Sequence, residues 1–414
     1  MTSLNTTDAA FNPSGGDGPP GPSPSARWLA VAAVTMGIFS IVTTEILPIG
    51  LLDEIGSGFG VSDGTAGLMM TMPGLLAAVC APLTTAATER VDRRLMLCLF
   101  MSLLLVANLL VAAAPGYWLV LVSRVLVGVV IGGFWSIAIG LAERLVPSGS
   151  VRRATAVIFS AVPLGSVLGV PAGTFIGNAA GWRTAFVVMS AFTLAVLILT
   201  FLVVPPLPPT ATTGLRVLSG LVKEVNTRFA LLLTFLVVLA HFGTYTYVAP
   251  FLHDVTGAGP HLTTVALLAY GVAGIAGNFL GGTMIGRHPR AVFGAVASVI
   301  AAVTLLLPVA GRRPVVALVL LIVWGLAYGA VPLCSQTWFI KAAPAAPEAA
   351  SVLFTASFQA SLSLGALAGG AVLDRTSPSA VMVCGGLVAV LTVLAAGVHF
   401  ARRLDWPRWP GRDH

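Results

Sequence analysis

The run LMLCLFMSLLLVANLLVAAA, residues 95–114, is twenty residues long and contains no charged side chain. A hydrocarbon core of about 30 Å is crossed by about 20 apolar residues in a helix. Lipid offers no hydrogen-bond partner to an open backbone, so such a run is helical. The run therefore predicts one helical crossing of a membrane.

Eleven further runs of similar length and apolarity surround this one, and the composition agrees with them. The chain of 414 residues is 57% hydrophobic and 9% charged, whereas soluble domains carry about 25% charged residues. These features predict an all-α membrane protein with twelve crossings. In chain order the predicted crossings are 28–50, 66–86, 95–114, 118–140, 154–176, 184–204, 229–251, 262–285, 291–310, 315–339, 352–373 and 380–400.

The segments between and beyond these runs predict the domain organisation. Residues 1–26 are rich in Pro, Gly and Ser and predict a disordered cytoplasmic tail. Two halves, 27–204 and 229–401, are expected on either side of a Pro-rich, basic cytoplasmic linker, 205–228, and 402–414 form a second tail. The four cysteines fall inside apolar runs and predict free thiols rather than disulfides or a metal site.

The basic residues are distributed unevenly between the two sides of the predicted membrane. With the N-terminus in the cytoplasm, seventeen Lys and Arg residues fall on the cytoplasmic side. Only Arg183, Arg312, Arg313 and Arg375 fall outside, and Arg124 lies within a crossing. This positive-inside bias predicts that both termini are cytoplasmic. Topology thus accounts for the net charge of +7, and we expect no nucleic-acid partner.

Glycine pairs recur at a nearly constant offset along the chain. Gly128 and Gly132 of crossing 4 recur 197 residues later as Gly325 and Gly329 of crossing 10. The pair Gly165/Gly169 of crossing 5 recurs 200 residues later as Gly365/Gly369 of crossing 11, and the loop after crossing 2 recurs weakly after crossing 8. These repeats predict two six-helix halves arranged as parallel repeats, a plan of secondary transporters.

Three motifs resemble signatures of the major facilitator superfamily. The loop Glu89-Arg90-Val91-Asp92-Arg93-Arg94 resembles the loop 2–3 signature Gly-x-x-x-Asp-Arg-x-Gly-Arg-Arg, although Thr85, Glu89 and Asp92 depart from it. Crossing 4, from Arg124 to Gly133, resembles the Arg-x-x-x-Gly signature linked to proton transfer. Crossing 5 resembles the Gly/Pro signature of the antiporters, but lacks the tight Gly-Pro pair because Val170 intervenes.

Within that superfamily, the chain resembles the drug:proton antiporter branch of twelve-helix exporters. Gly-Gly-Phe-Trp (132–135), Arg144-Leu-Val-Pro147 and Gly181-Trp182-Arg183 are similar to the subgroup of purine ribonucleoside and arabinose-type sugar efflux pumps. The resemblance implies the major facilitator fold, with twelve helices in two pseudo-symmetric halves. It also implies proton-coupled efflux of a nucleoside- or sugar-like compound or a drug across a bacterial plasma membrane.

The resemblance assigns roles to two further groups of residues. It implies that the loop 2–3 cluster is a conformational latch, which pairs with crossing 11 and stabilises an outward-facing state; a solvated topology loop is the alternative. This cluster comprises Glu89, Arg90, Asp92, Arg93 and Arg94. In crossing 5, the four-residue glycine spacing predicts close helix packing, and a special antiport role rests on the resemblance alone. That group comprises Gly165, Gly169, Pro171, Gly173 and Gly177.

Histidine apart, only Glu45 and Arg124 place an ionisable acid or base well inside the predicted crossings. Each costs about 2.5–3.5 kcal/mol at the bilayer centre, a cost tolerated where the group faces a wet cavity or a partner. We predict that Glu45 exchanges the coupled proton, because low dielectric disfavours the carboxylate, and that Arg124 biases it while staying charged. Alternatively, Glu45 lies near the outer end of its helix and merely reaches water. Leu321 occupies the position that matches Arg124, so coupling would reside in the N-terminal half.

Polar and aromatic residues spaced by four mark faces of the C-terminal crossings. Residues at i and i+4 share a helix face, so these stripes predict a substrate cavity, with interhelical hydrogen bonding as the alternative. For His241, a neutral buried side chain bonded to a backbone carbonyl is a second alternative. The predicted substrate-binding residues are Trp135, His241, Tyr245, Asn278, Tyr328, Gln336, Thr355 and Gln359.

Other classes of protein fit the sequence less well. Neither Lys223 nor Lys341 follows a Gly, so a phosphate-binding loop for ATP-driven pumping is missing. A uniporter or importer of the same fold stays open, as does a non-transporting membrane sensor. We expect a monomer in the lipid bilayer that binds a small molecule and protons, without a cofactor or a metal.

Overall fold

The computed structural model describes residues 23–87, 91–138, 141–208, 220–285, 289–344 and 346–401. Within these ranges the regular structure is helical throughout, and twelve segments are long and apolar enough to cross a membrane. The predicted all-α membrane fold with twelve crossings is thereby confirmed. Twelve crossings place residues 23 and 401 on one face of the bundle, which we call the terminal face.

We number the main helices α1–α12, so that each belongs to the crossing of the same number. They are α1 Pro24–Ile46, α2 Leu68–Ala87, α3 Arg93–Ala112, α4 Tyr117–Ala138, α5 Val151–Ala180, α6 Trp182–Val203, α7 Val225–Tyr245, α8 Pro260–Ile285, α9 Pro289–Ala310, α10 Pro314–Gly329, α11 Pro347–Leu373 and α12 Pro378–Ala401. Short helices follow at Leu52–Phe59, Asp63–Ala66, Leu141–Leu145, Val248–Asp254 and Val331–Ala342.

Three crossings that the sequence predicts as single helices are interrupted. In crossing 1, α1 ends at Ile46 and a 3₁₀ turn, Leu47–Leu51, takes over. Pro48 lies in that turn and has no backbone N–H to continue the helix. Crossing 7 is interrupted at the equivalent place, after Tyr245. In crossing 10, α10 ends at Gly329, and the next helix has Pro332 in its first turn.

The glycine repeats predicted from the sequence have the same packing role in both halves. A Cβ on Gly128 would overlap the backbone of α2, and a Cβ on Gly325 or Gly329 would overlap the backbone of α8. Gly169 likewise packs on α1, while Gly365 packs on the backbone of α7. The pairs α2/α4 and α8/α10, and the pairs α1/α5 and α7/α11, are therefore equivalent. Small residues allow this close approach of helices in a membrane.

Two helix pairs join the halves, and they too are related by the repeat. Gly74 of α2 packs against Ser363 and the carbonyl group of Gln359 on α11. Gly271 of α8 packs against Val167 of α5. The space between these two seams is the centre of the bundle.

We predict that Gly277→Ala lowers the stability of the folded protein. The added Cβ would overlap the carbonyl oxygen of Leu326 on α10, and overpacking of this kind costs about 1–3 kcal/mol. Thermal unfolding of the purified protein in detergent measures the effect, with Gly397→Ala as the matched control. Gly397 has open space around its Cβ position, so the control should unfold at the wild-type temperature or slightly above it. Equal unfolding temperatures in both variants would contradict the packing described here.

Candidate functional site

Arg124 is fully buried and donates its hydrogen bonds to the backbone. Its exposed fraction is 0%. Nε donates to the carbonyl oxygen of Met69 at 2.9 Å, Nη1 to that of Thr44 at 3.0 Å and Nη2 to that of Glu45 at 2.8 Å. The first acceptor opens α2 and the other two lie in the last turn of α1, where the interruption of the helix leaves carbonyl groups without intrahelical partners. The guanidinium fork therefore fixes the ends of two helices and keeps a positive charge at the centre of the N-terminal half.

Glu45 is the next-to-last residue of α1 and is 7% exposed. Its carboxyl Oε1 accepts a hydrogen bond from Nε2 of Gln359 on α11, at 2.8 Å. Arg124 bonds the backbone carbonyl of Glu45 rather than its carboxylate. The carboxyl group of the N-terminal half thus contacts the C-terminal half directly, with a buried cation nearby.

The polar stripe of α11 faces the N-terminal half. Ser363 lies against Gly74 of α2, and Gln359 reaches Glu45. Thr355 belongs to the same stripe and is half-buried. Neither Thr355 nor Gln359 is among the residues that line the central cavity.

An aromatic cluster fills the centre of the C-terminal half around His241, which is 1% exposed. The His241 ring stacks on Tyr328, with centroids 3.3 Å apart, and on Tyr245 at 5.2 Å. Tyr270 stacks on Tyr245 at 4.4 Å, and Trp324 meets His241 edge-on at 5.5 Å. These five rings form a continuous aromatic wall.

Three polar atoms in this wall have no hydrogen-bond partner among the described residues, whereas His241 and Tyr270 bond to each other. Nε2 of His241 lies 3.3 Å from the Tyr270 hydroxyl. Nδ1 of His241, Nε1 of Trp324 and the hydroxyl of Tyr328 are buried and unsatisfied. Buried polar atoms are normally paired, so the wall has capacity for hydrogen bonds to a solute or to water.

A cavity of about 270 Å³ lies at mid-depth beside the aromatic wall. Its lining comes from α1, α5, α7, α8 and α10 and from the short helix Val331–Ala342. The predicted substrate residues that line it are His241, Tyr245, Asn278, Tyr328 and Gln336. Its opposing wall on α5 includes Phe159, Ser166 and Val167.

Trp135 is half-buried and packs against Phe159, with ring centroids 6.0 Å apart. Phe159 lines the cavity and Trp135 does not. The sequence prediction omitted Tyr270, which lines the cavity. The sequence did contain an indication of this position. Tyr270 and Asn278 are eight residues apart, with Gly274 between them, and therefore share one face of α8.

The glycine ladder of α5 packs on crossing 1. Added Cβ atoms on Gly165, Gly169, Gly173 and Gly177 would contact Val42, Ile46, Leu47 and Leu51 respectively. The helix continues through Pro171 to Ala180. Thr174 donates to the carbonyl oxygen of Val170 at 2.9 Å.

The loop 2–3 cluster is described only in part, because Glu89 and Arg90 lie outside the described residues. The carboxylate of Asp92 caps α3 and accepts from the backbone N–H of Arg94 at 2.8 Å. The backbone N–H of Arg93 donates to the carbonyl oxygen of Leu207 at 2.9 Å, and the Arg94 side chain donates to the carbonyl oxygen of Phe201. Arg93 and Arg94 therefore connect α3 to the end of crossing 6, and the latch role stays a prediction.

At the face opposite the termini, the two halves meet around acidic residues. Oδ1 of Asp374 accepts from the backbone N–H of Gly64 at 3.0 Å, and Tyr247 packs against Gly67. A cavity of about 400 Å³ there includes Asp53, Asp63, Asp254 and His253 in its lining. The hydrogen bond that His253 donates to the carboxylate of Asp254 raises the pKa of the exposed His253 above its ordinary value.

The described ranges contain no group of three or more His, Cys, Asp or Glu side chains placed to hold a metal ion. Cys80, Cys98, Cys334 and Cys384 are free thiols. The chemistry of the centre therefore consists of one carboxyl group, one guanidinium group and an aromatic wall with open hydrogen-bonding positions.

A family model described as Major Facilitator Superfamily matches residues 28–364. A relative from Pseudomonas aeruginosa, named Transcription regulatory protein OpdE, is 31% identical over 384 residues, which cover 91% of this chain and 95% of the relative.

Solved structures of transporters share the fold. The human organic anion transporter MFSD10 (TETRAN) has 17% identity and a TM-score of 0.64, over 91% of this chain and 100% of that one. A bacterial homolog of the human lysosomal transporter Spinster, inward-facing and occupied, has 16% identity and a TM-score of 0.72, over 94% and 100% of the two chains. Its inward-facing, unoccupied form has 16% identity and a TM-score of 0.68, over 92% and 96%.

The family match spans most of the chain, and the twelve helices, the two repeated halves and the central cavity agree with it. This chain belongs to the Major Facilitator Superfamily and is a membrane transporter.

Proposed function

We propose that the protein is a proton-coupled antiporter that exports a small organic solute across a bacterial plasma membrane. The observation that carries this proposal is Glu45, a buried carboxyl group at the contact between the two halves. A transporter that works by movement of its halves exposes such a contact to one side of the membrane at a time. A carboxyl group at that contact gains or loses its proton according to the side that it faces.

Arg124 supports this assignment through charge. It keeps its positive charge in every state, because its side chain does not release a proton near neutral pH. A fixed cation beside an exchangeable carboxyl group makes the net charge of the site alternate between one and zero. Leu321 stands at the equivalent place in the C-terminal half, so we place proton coupling in the N-terminal half.

The orientation of the protein in the membrane follows from the charge distribution, and export is what the family resemblance implies. Positive residues concentrate on the terminal face, which we assign to the cytoplasm by the positive-inside rule. The contacts between Gly64 and Asp374 then close the outer side. A uniporter or importer of the same fold is the alternative; it predicts transport without pH dependence and indifference to Glu45.

A second candidate is a membrane sensor that regulates transcription, which the name of the Pseudomonas aeruginosa relative favours. A transporter that changes the cytoplasmic concentration of an effector also alters transcription, without contact to DNA. Uptake of labelled solutes into inverted vesicles separates the two, because a sensor alone moves no solute.

The cavity favours a neutral or weakly polar solute with a planar ring. Its lining combines the rings of Tyr245, Tyr270 and Tyr328 with the amides of Asn278 and Gln336. Aromatic stacking on a nucleic-acid base contributes about 1–3 kcal/mol per base in single-strand binding proteins. Amide groups suit hydroxyls and ring nitrogens. Nucleosides and sugar-like compounds are therefore our first substrate class, and amphiphilic antibiotics are the second.

We predict that Glu45→Gln abolishes proton-driven transport while the protein still inserts and folds. The amide is nearly isosteric with the carboxyl group but exchanges no proton. The measurement is uptake of labelled nucleosides and sugars into inverted vesicles, with and without a proton gradient. Wild-type uptake driven by the gradient in this variant would remove Glu45 from the mechanism.

Arg124→Lys should impair transport, and Arg124→Leu should impair it further. Lysine keeps the charge, but its point-like ammonium group lacks the planar fork that reaches three carbonyl oxygens. Each carbonyl group left unpaired costs about 1–3 kcal/mol, so both variants should also unfold at lower temperature. The same vesicle uptake and a thermal melt test this, and full activity in both variants would mean that Arg124 has only a packing role.

Expression in a sensitive bacterial host should raise tolerance to toxic purine nucleosides more than tolerance to cationic dyes. The cavity lining contains aromatic rings and amides but no carboxylate for a cation. Growth inhibition with each panel is the measurement, and the Glu45→Gln variant is the control. Protection against the dyes alone would contradict the nucleoside class and favour a multidrug pump.

A further inference from the structure

We propose that Gln359 is a positioning residue of the coupling site, through which the C-terminal half responds to the proton on Glu45. This inference rests on the proposed function, and deepens it by naming the contact that links protonation to closure of the outer side. The sequence predicts Gln359 as a substrate ligand, whereas its side chain is directed at Glu45.

The contact joins the two halves at a buried point. Nε2 of Gln359 donates to Oε1 of Glu45 at 2.8 Å, across 314 positions of sequence. The residues are 5% and 7% exposed, so water competes little for this hydrogen bond.

The backbone of Gln359 is held in place by its own packing. Gly74 of α2 lies so close to the carbonyl oxygen of Gln359 that a side chain at position 74 would overlap it. The side chain then extends from the α2/α11 seam to the end of α1. This seam fixes Gln359 beside the N-terminal half, away from the lining of the substrate cavity.

The electrostatic surroundings of Glu45 are simple in the described part of the chain. The charged and titratable groups that interact with its carboxyl are Arg124 of α4 and Tyr328 of α10. Helix α11 contributes the uncharged amide of Gln359. Arg124 keeps its charge throughout, and its side chain bonds to backbone carbonyls. The amide is therefore the direct partner of the group that changes charge.

An amide bonds to both forms of a carboxyl group, but with different strength. Its N–H groups donate to an ionised carboxylate in a charge-assisted bond, which is about twice as strong as a neutral one. A protonated carboxyl group accepts at its carbonyl oxygen and donates its O–H to the amide oxygen. Separation of the halves at the outer side breaks the contact. The contribution of Gln359 to the closed state therefore depends on the proton.

Because the contribution of Gln359 depends on the proton, its removal should have an effect that changes with pH. Removal of a purely structural residue would have the same effect at every pH. Burial disfavours the ionised carboxylate, so the closed state of the wild type should become more populated as pH falls. Without the amide, the ionised carboxylate is left in the closed state without its donor, whereas the protonated form loses only a neutral bond. Removal of the amide should thus open the outer side mainly at high pH.

The test uses the full-length protein in liposomes, with spin labels on cysteines that replace Ser57 and Thr376. These two exposed residues lie on the outer side, one in each half. Distance distributions between the labels give the ratio of closed to open protein across the pH range. All variants share a background in which the four native cysteines are replaced by serine.

We expect Gln359→Leu to lower the closed-to-open ratio about tenfold or more at high pH, and only a few-fold at the acidic end. Gln359→Met keeps the length of the side chain but lacks the amide, so it should have the same effect. It replaces the Leu variant in the measurement if that variant fails to fold. Ser361→Ala is the matched control on the same helix, because Ser361 bonds to the carbonyl oxygen of Ser357. It should leave the ratio unchanged at every pH.

The decisive variant is Gln359→Leu combined with Glu45→Gln. In the Glu45→Gln background, the effect of Gln359→Leu should lose its pH dependence. A uniform effect of Gln359→Leu at all pH values in the wild-type background would overturn the proposal but leave proton coupling intact. If the closed-to-open ratio of the otherwise unaltered protein does not change with pH, both proton coupling and this inference are overturned.

Discussion

The absence of water from the hydrocarbon core governs this structure, because every backbone polar group inside it needs a partner from the chain. The ends of α1 and α2 show this constraint most clearly. Crossing 1 is interrupted after Ile46, and an interrupted helix leaves carbonyl groups without intrahelical donors. The guanidinium group of Arg124 supplies the donors for two of them and for a third on α2. A charged residue is thus tolerated at the centre because the backbone around it is broken.

The two halves are related by a repeat in packing but differ in chemistry. Glycines at equivalent positions bring α2 to α4 and α8 to α10. Where the N-terminal half has Arg124, the C-terminal half has Leu321, which is buried in an apolar cluster. The C-terminal half instead carries the aromatic wall around His241. The N-terminal half thus contributes charged groups to the centre, and the C-terminal half contributes aromatic rings. This arrangement is consistent with proton exchange in the first half and solute binding in the second.

The sequence predicts much of this fold, because the bilayer makes long apolar runs unambiguous. Twelve crossings and the packing of the paired glycines follow from run length and spacing. The interruption after Ile46 was missed because hydropathy continues unbroken through Leu47, Pro48 and Ile49. Pro48 was the available signal, but proline is also tolerated inside helices of this chain, as Pro171 shows.

The candidate site was harder to predict, since spacing shows which residues share a face but not what that face contacts. The stripe of α11 that contains Thr355 and Gln359 was predicted to line a substrate cavity. Its neighbour is α2 and the end of α1 rather than the cavity. Contacts between the two halves, which are far apart in sequence, decide what this face packs against. The sequence of α11 alone does not show these contacts. The same reasoning explains Trp135, whose ring packs behind Phe159.

Infrared titration tests most directly whether Glu45 exchanges a proton within the folded protein. Spectra of the wild type and of Glu45→Gln in lipid are compared across the physiological pH range, and their difference isolates this one carboxyl group. The account predicts a protonated-carboxyl band that is present at low pH, disappears as pH rises and is absent from the variant. A difference between the two proteins that stays the same at every pH would contradict it.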